Sequence, residues 1–289
     1  MRYKSRIYRI LSGMFRVGIT KPVMIETDKV NISNFLESIY DEYHHPAFIH
    51  PDPLEFLADY SDPLDREIVG LIASSFAIGR VTAILNVIKS ILEELPSPRK
   101  NLLEMNREVF DEKFKGFRYR FYDSSSLVDF LWGIGRVIKS YDSLNECFLS
   151  GLQGDDLLSA MILFTGELCR DNRGSRSVLP SPSKGSACKR LNLYLRWMVR
   201  NDRIDPGGWM GVSPSILLVP LDTHMHRIGQ ILGFTDRKNG DLRAAMEITE
   251  SLRQYAPADP VRYDFSLTRL GIHPLLNYSR LSEFSAARE

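Results

Sequence analysis

Apolar positions recur at three- and four-residue steps along most of the chain, the period of amphipathic helices. In REIVGLIASSFAIGRVTAILNVIKSILEEL (66–95), Ile68, Leu71, Ile72, Ser75 and Ile78 keep that spacing, as do Ala83, Ile84, Val87, Ile88 and Ile91. Asp62 and Pro63 mark the start as N-cap and first helical residue. Gly79 predicts two helices or one with a defect, and Pro96 and Pro98 end the run. The same period predicts helices over 125–141, 143–152, 155–171, 184–200, 222–233, 241–255 and 260–271. Asp155, Asp222, Asp241 and Asp259 sit where N-caps belong, and Gly233 and Gly271 where helices stop. SILLV (215–219) is the one plausible strand. The pattern predicts an all-α fold.

Composition narrows the partners more than the fold. The chain has 289 residues, 44% of them hydrophobic and 25% charged, as in one large domain or two small ones sharing an interface. Its net charge is +1, so contact with nucleic acid has to come from local clustering of cations. Cys147, Cys169 and Cys188 are widely spaced, match no zinc pattern and read as reduced thiols of a cytoplasmic protein. Residues 1–30 read as a basic extension, and Arg16 splits the apolar run ILSGMFRVGI that a secretory signal needs whole. No stretch approaches the ~20 apolar residues of a membrane span, so no membrane partner is expected. The loop NRGSRSVLPSPSKGS (172–186) has cations and no acid, which suits a phosphate or a plain surface connector.

The segment LVPLDTHMHRIGQILGF (218–234) carries the candidate chemistry, and it has two readings. On a strand, His224 and His226 point the same way and form a metal pair, as in amidohydrolase barrels. Such a barrel needs ~250 residues with its remaining strands after this one, and sixty-three residues follow His226. Met225, Ile228 and Leu232 instead keep helical spacing up to Gly233. On a helix the two histidines diverge by about 200° and cannot share a metal. The helical reading makes Asp222 the N-cap, and a carboxylate can cap with one oxygen and act with the other.

PLDTHMHRIGQILGF resembles the VDTHVxRVxxRLG segment of the helix-hairpin-helix DNA glycosylase superfamily, whose catalytic aspartate falls at Asp222. LPSPSKGSACKRLNLYLRW (179–197) begins like the hairpin of that superfamily. It departs where Ser181 and Ser183 replace glycines and Gly185 the usual lysine. The nearer likeness is to the archaeal 8-oxoguanine glycosylase branch, whose catalytic lysine lies about thirty residues before the aspartate. Lys189 fits at thirty-three, and Lys184 is the second choice. More widely, DPLEFL (52–57), SACKRLNLYLRWMVR, LDTH and YDFSLTRLGI resemble a bacterial protein family of unknown function over roughly residues 35–273. That second likeness implies no activity.

The glycosylase resemblance implies two helical subdomains with a cleft between them: 31–64 with 216–289, and 65–215 with the atypical hairpin. It implies Lys189 as nucleophile at the sugar, Asp222 as its carboxylate partner, damaged duplex DNA as partner, no cofactor and no metal. The helical period puts Lys189, Arg196, Arg200 and Arg203 on one stripe, opposite a buried stripe of Leu191, Tyr194, Leu195 and Met198. With Lys184 and Arg190 these cations suit a polyanionic backbone. Base extrusion calls for an aromatic slot, for which Trp132, Trp197, Trp209, Phe76 and Phe265 are candidates. Trp209 in DPGGWMGVSP (205–214) fits best, and His224 is placed to touch phosphate or base. The rival expectations are a non-catalytic nucleic-acid-binding helical protein and a metal hydrolase using His224 and His226. No obligate protein partner is expected.

Overall fold

The computed structural model describes residues 26–170, 178–273, 276 and 278–286. Residues 1–25 of the basic extension, 171–177 of the long loop and the side chain of Lys184 lie outside the described residues. The architecture is helical, as the period requires. Its helices are α1 (Glu26–Tyr43), α2 (Pro63–Phe76), α3 (Val81–Glu93), α4 (Pro98–Glu104), α5 (Arg107–Lys113), α6 (Ser124–Tyr141), α7 (Leu144–Gly151), α8 (Leu157–Leu168), α9 (Lys189–Val199), α10 (Thr223–Ile231), α11 (Leu242–Arg253), α12 (Asp264–Ile272) and α13 (Ser279–Ala286). A two-stranded antiparallel hairpin, β1 (Arg118–Tyr119) and β2 (Tyr122–Asp123), is the single sheet among the described residues.

Helix α2 is the hub of the long middle stretch. Asp62 accepts from the Leu64 N–H and Pro63 opens the helix. Every residue from Glu67 to Phe76 is buried, because α9, α3, α4, α7 and the turn Pro53–Asp59 pack around it. The expected defect at Gly79 is a full break, with α2 ending at Phe76 and α3 starting at Val81. Helices α6, α7 and α8 pack on one another. Gly133 lets α6 approach so closely that a Cβ there would meet the carbonyl of Leu168. From the other parts of the chain, α1 packs on α12, while α10 touches α11, α12 and α13. Ile32, Phe35, Leu36, Ile39 and Tyr43 give α1 its buried stripe.

Several local expectations change. Asp156, one position after Asp155, caps α8 by accepting from Ser159 N. Asp259 caps nothing, since α12 follows Tyr263 without a side-chain cap, and Asp259 pairs with Arg200 instead. Gly233 does stop α10 in a left-handed turn (φ +73°), whereas α12 runs through Gly271 to Ile272. SILLV forms no strand; Pro214–Ile216 is a single 3-10 turn. The expected stripe of exposed cations on α9 is also corrected. Arg196 and Arg200 are 3% and 4% exposed, because carboxylates from three other segments close over them.

Candidate active site

Helix α9 begins at Lys189, directly after Cys188 in a left-handed conformation (φ 47°). The atypical hairpin before it consists of a 3-10 turn at Pro182–Lys184 and Gly185 at φ +76°. Helix α10 begins one residue after Asp222, whose Oδ1 accepts from Met225 N at 2.8 Å. The two helix starts meet at one pocket. Lys189 Nζ lies 3.3 Å from Asp222 Oδ2, with the lysine side chain 36% and the aspartate 16% exposed. One carboxylate oxygen caps the helix and the other faces the amine.

The pocket has a volume of about 600 Å³. One wall is aliphatic, from Ala77, Gly79, Val81 and Ile84. Another part of the lining is ionic, and here sequence reasoning missed three residues: Asp52, Asp264 and Arg269. Arg269 pairs with Asp52 at 2.7 Å and donates to Phe48 O at 3.1 Å, while its Nε has no partner. Arg196 pairs with Asp264 and, at 3.2 Å, with Asp205. Burial pushes the Asp264 carboxyl up to about 6, against the pull of Arg196, and its Oδ1 has no partner. Lys189, Arg196 and Arg269 are thus balanced by Asp52, Asp222 and Asp264, and the expected one-sign cationic wall is replaced by a mixed one. DPLEFL and YDFSLTRLGI contained the missing three; the usable signal was charge at positions that the apolar period buries.

Behind this wall the ion pairs continue to partly exposed carboxylates at Asp202 and Asp259. Arg200 pairs with Asp205, with Asp202 at 2.7 Å and with Asp259 at 2.9 Å. His44 Nε2 donates to Asp202 at 3.0 Å. Burial raises the Asp202 carboxyl, but His44 and Arg200 outweigh it and hold the group well below the usual carboxylate range.

The remaining expected residues separate. His224 lines the pocket, and its Nδ1 lies 2.6 Å from the Tyr278 hydroxyl. His226 instead donates through Nε2 to Arg237 O at 2.9 Å, so the two rings engage different partners. Among the described residues no group of three or more His, Cys, Asp or Glu is placed to hold a metal ion. Arg190 is not on the pocket wall; its guanidinium donates to Ser75 O and lies 5.9 Å from the Tyr122 ring centroid. Trp209 is core: it is 5% exposed, donates to Glu67 Oε2 at 2.9 Å and packs on Phe148, Phe164 and Tyr194. It does lie in the glycine-rich loop, but the loop is folded against the core, with Trp209 N donating to Met198 O and tying the segment to α9. None of Trp132, Trp197, Phe76 and Phe265 lines the pocket either, although Phe265 underlies Arg269 at 4.4 Å. No described helix is long and apolar enough to cross a membrane.

No curated protein and no solved structure matches the chain. Residues 52–273, which include every described pocket residue except Pro51, match a family described as protein of unknown function (DUF2400), and the chain belongs to that family.

Proposed function

We propose that this protein is a DNA glycosylase with lyase activity that excises an oxidised purine through a Schiff base on Lys189. The observation that carries the reading is the 3.3 Å approach of Lys189 Nζ to Asp222 Oδ2 in an open pocket. The neutral amine attacks C1′ of the sugar, forming a C–N bond as the glycosidic bond breaks. Its electron pair leaves with the base, which takes up a proton. Asp222 accepts the proton lost by Nζ and offsets the positive charge that develops on the sugar. Opening of the sugar ring then gives the Schiff base, and elimination of the 3′ phosphate cuts the strand. The packing of α1 on α12, and of α10 on α11, α12 and α13, supports a two-subdomain reading in which ion pairs such as Arg196–Asp264 join these helices to α9 beside the pocket.

The test is borohydride trapping on duplexes that carry an oxidised purine or an abasic site. Wild type gives a covalent adduct, and Lys189→Ala gives none. Absence of an adduct from wild type on all these duplexes defeats the lyase reading. If salt-dependent DNA binding then survives Asp222→Asn unchanged, the scaffold is a binding module.

A further inference from the structure

The hairpin is the part of the fold that the helical period does not explain. Arg118 pairs with Asp123 and Tyr119 with Tyr122, leaving Arg120 and Phe121 as a two-residue tip. Arg120 takes φ 54°, a turn position that glycine or asparagine ordinarily fills. The stem is fixed from below. Tyr122 is buried against Phe76, Tyr119 donates its hydroxyl to Ile78 O at 2.7 Å, and Ser124 donates to Phe114 O. The tip is exposed: Phe121 is 56% exposed as a residue, with the Arg120 guanidinium 5.3 Å from its ring centroid. Among the described residues Phe121 is the one large aromatic side chain so exposed.

The hairpin also touches the pocket. A Cβ on Gly79 would lie 3.0 Å from Arg120 Nη1 and 3.2 Å from the Tyr119 hydroxyl, and Gly79 is part of the aliphatic wall. Arg80, Arg118 and Arg120 are exposed around this rim. A rigid stem, an exposed aromatic and three arginines beside a pocket are the parts of an intercalating wedge.

We propose that the Arg120–Phe121 tip enters a nucleic-acid duplex next to the pocket. Phe121 stacks in the space that an extruded nucleotide leaves, and Arg80, Arg118 and Arg120 meet the flanking phosphates. This inference rests on the nucleic-acid reading of the pocket.

The experiment uses the full chain and a duplex with a tetrahydrofuran abasic analogue opposite 2-aminopurine. Wild type binds and changes the 2-aminopurine fluorescence. Phe121→Ala weakens binding about tenfold or more and removes the fluorescence change, with an unaltered melting temperature. Phe121→Trp restores both. If Phe121→Ala binds and reports like wild type while Lys189 still traps, the wedge falls and the glycosylase reading stands. If wild type binds no duplex even at low salt, both fall. If Phe121→Ala loses only binding to phosphatidylserine vesicles, the tip is a membrane contact and the wedge is overturned.

Discussion

Lys189 Nζ stands 3.3 Å from the Asp222 oxygen that takes no part in capping α10. This division of labour separates stability from chemistry. Asn caps a helix nearly as well as Asp, so Asp222→Asn costs less than ~0.5 kcal/mol, whereas Asp222→Ala loses the cap and ~1 kcal/mol. Both variants lose the acceptor for the lysine proton. Denaturant titration beside single-turnover trapping checks the pair: equal losses of stability for the two variants, or trapping retained by Asp222→Asn, would contradict it.

Glu67 gives a pH signature. It is 1% exposed, and burial pushes its carboxyl from the ordinary 4.5 up to about 7. The pull of Leu144 N–H, Trp209 Nε1–H and Asn145 N–H is insufficient to reverse this. The folded state therefore holds a proton that the unfolded state has already released. Its stability contribution is full below about pH 4.5 and is lost as pH rises through about 7. Relative to Glu67→Gln, wild type should lose of order 2–3 kcal/mol between those limits. Urea midpoints at pH 5 and pH 8 measure it, and parallel midpoints for the two proteins would refute it.

Asp205 is 0% exposed and bridges Arg196 and Arg200. Asp205→Ala leaves two buried guanidinium groups short of a partner, at a cost of about 3–5 kcal/mol. A thermal melt within two degrees of wild type would show that the cluster is not needed for folding.

Gly79→Ala meets two obstacles, φ +123° and the crowding by Arg120 and Tyr119. The expected cost is about 1–3 kcal/mol, with faster amide exchange around the hairpin. Unchanged exchange at Tyr119 and Phe121 would contradict the contact.

The helical period made most of the long helices readable, because one buried stripe per helix suffices to mark them. It also marked Asp222, whose cap role shows locally. The pairing with Lys189 was visible only as a separation along the chain, through resemblance. Asp264 and Arg269 stayed hidden because the period treats interior positions as apolar, and no local pattern announces that Arg196 and Asp52, far along the chain, will pair with them. Arg196 and Arg200 were misjudged for the same reason. The hairpin escaped because Arg120 occupies a turn position that carries no glycine or asparagine signal. Trp209 was misplaced because burial against Glu67 comes from a residue 142 positions away.

The ionic side of the pocket has a consequence for descent with change. Arg196, Asp264 and Arg269 serve at once as lining and as keystones, so drift there is checked by collapse of the protein before any ligand is tried. Ala77, Val81 and Ile84 hold no ion pair, and although Ala77 and Ile84 are also buried, adding or trimming a methyl there reshapes the space at a modest cost to the scaffold. Relatives that have come to favour different ligands should differ on this soft side and agree on the hard one.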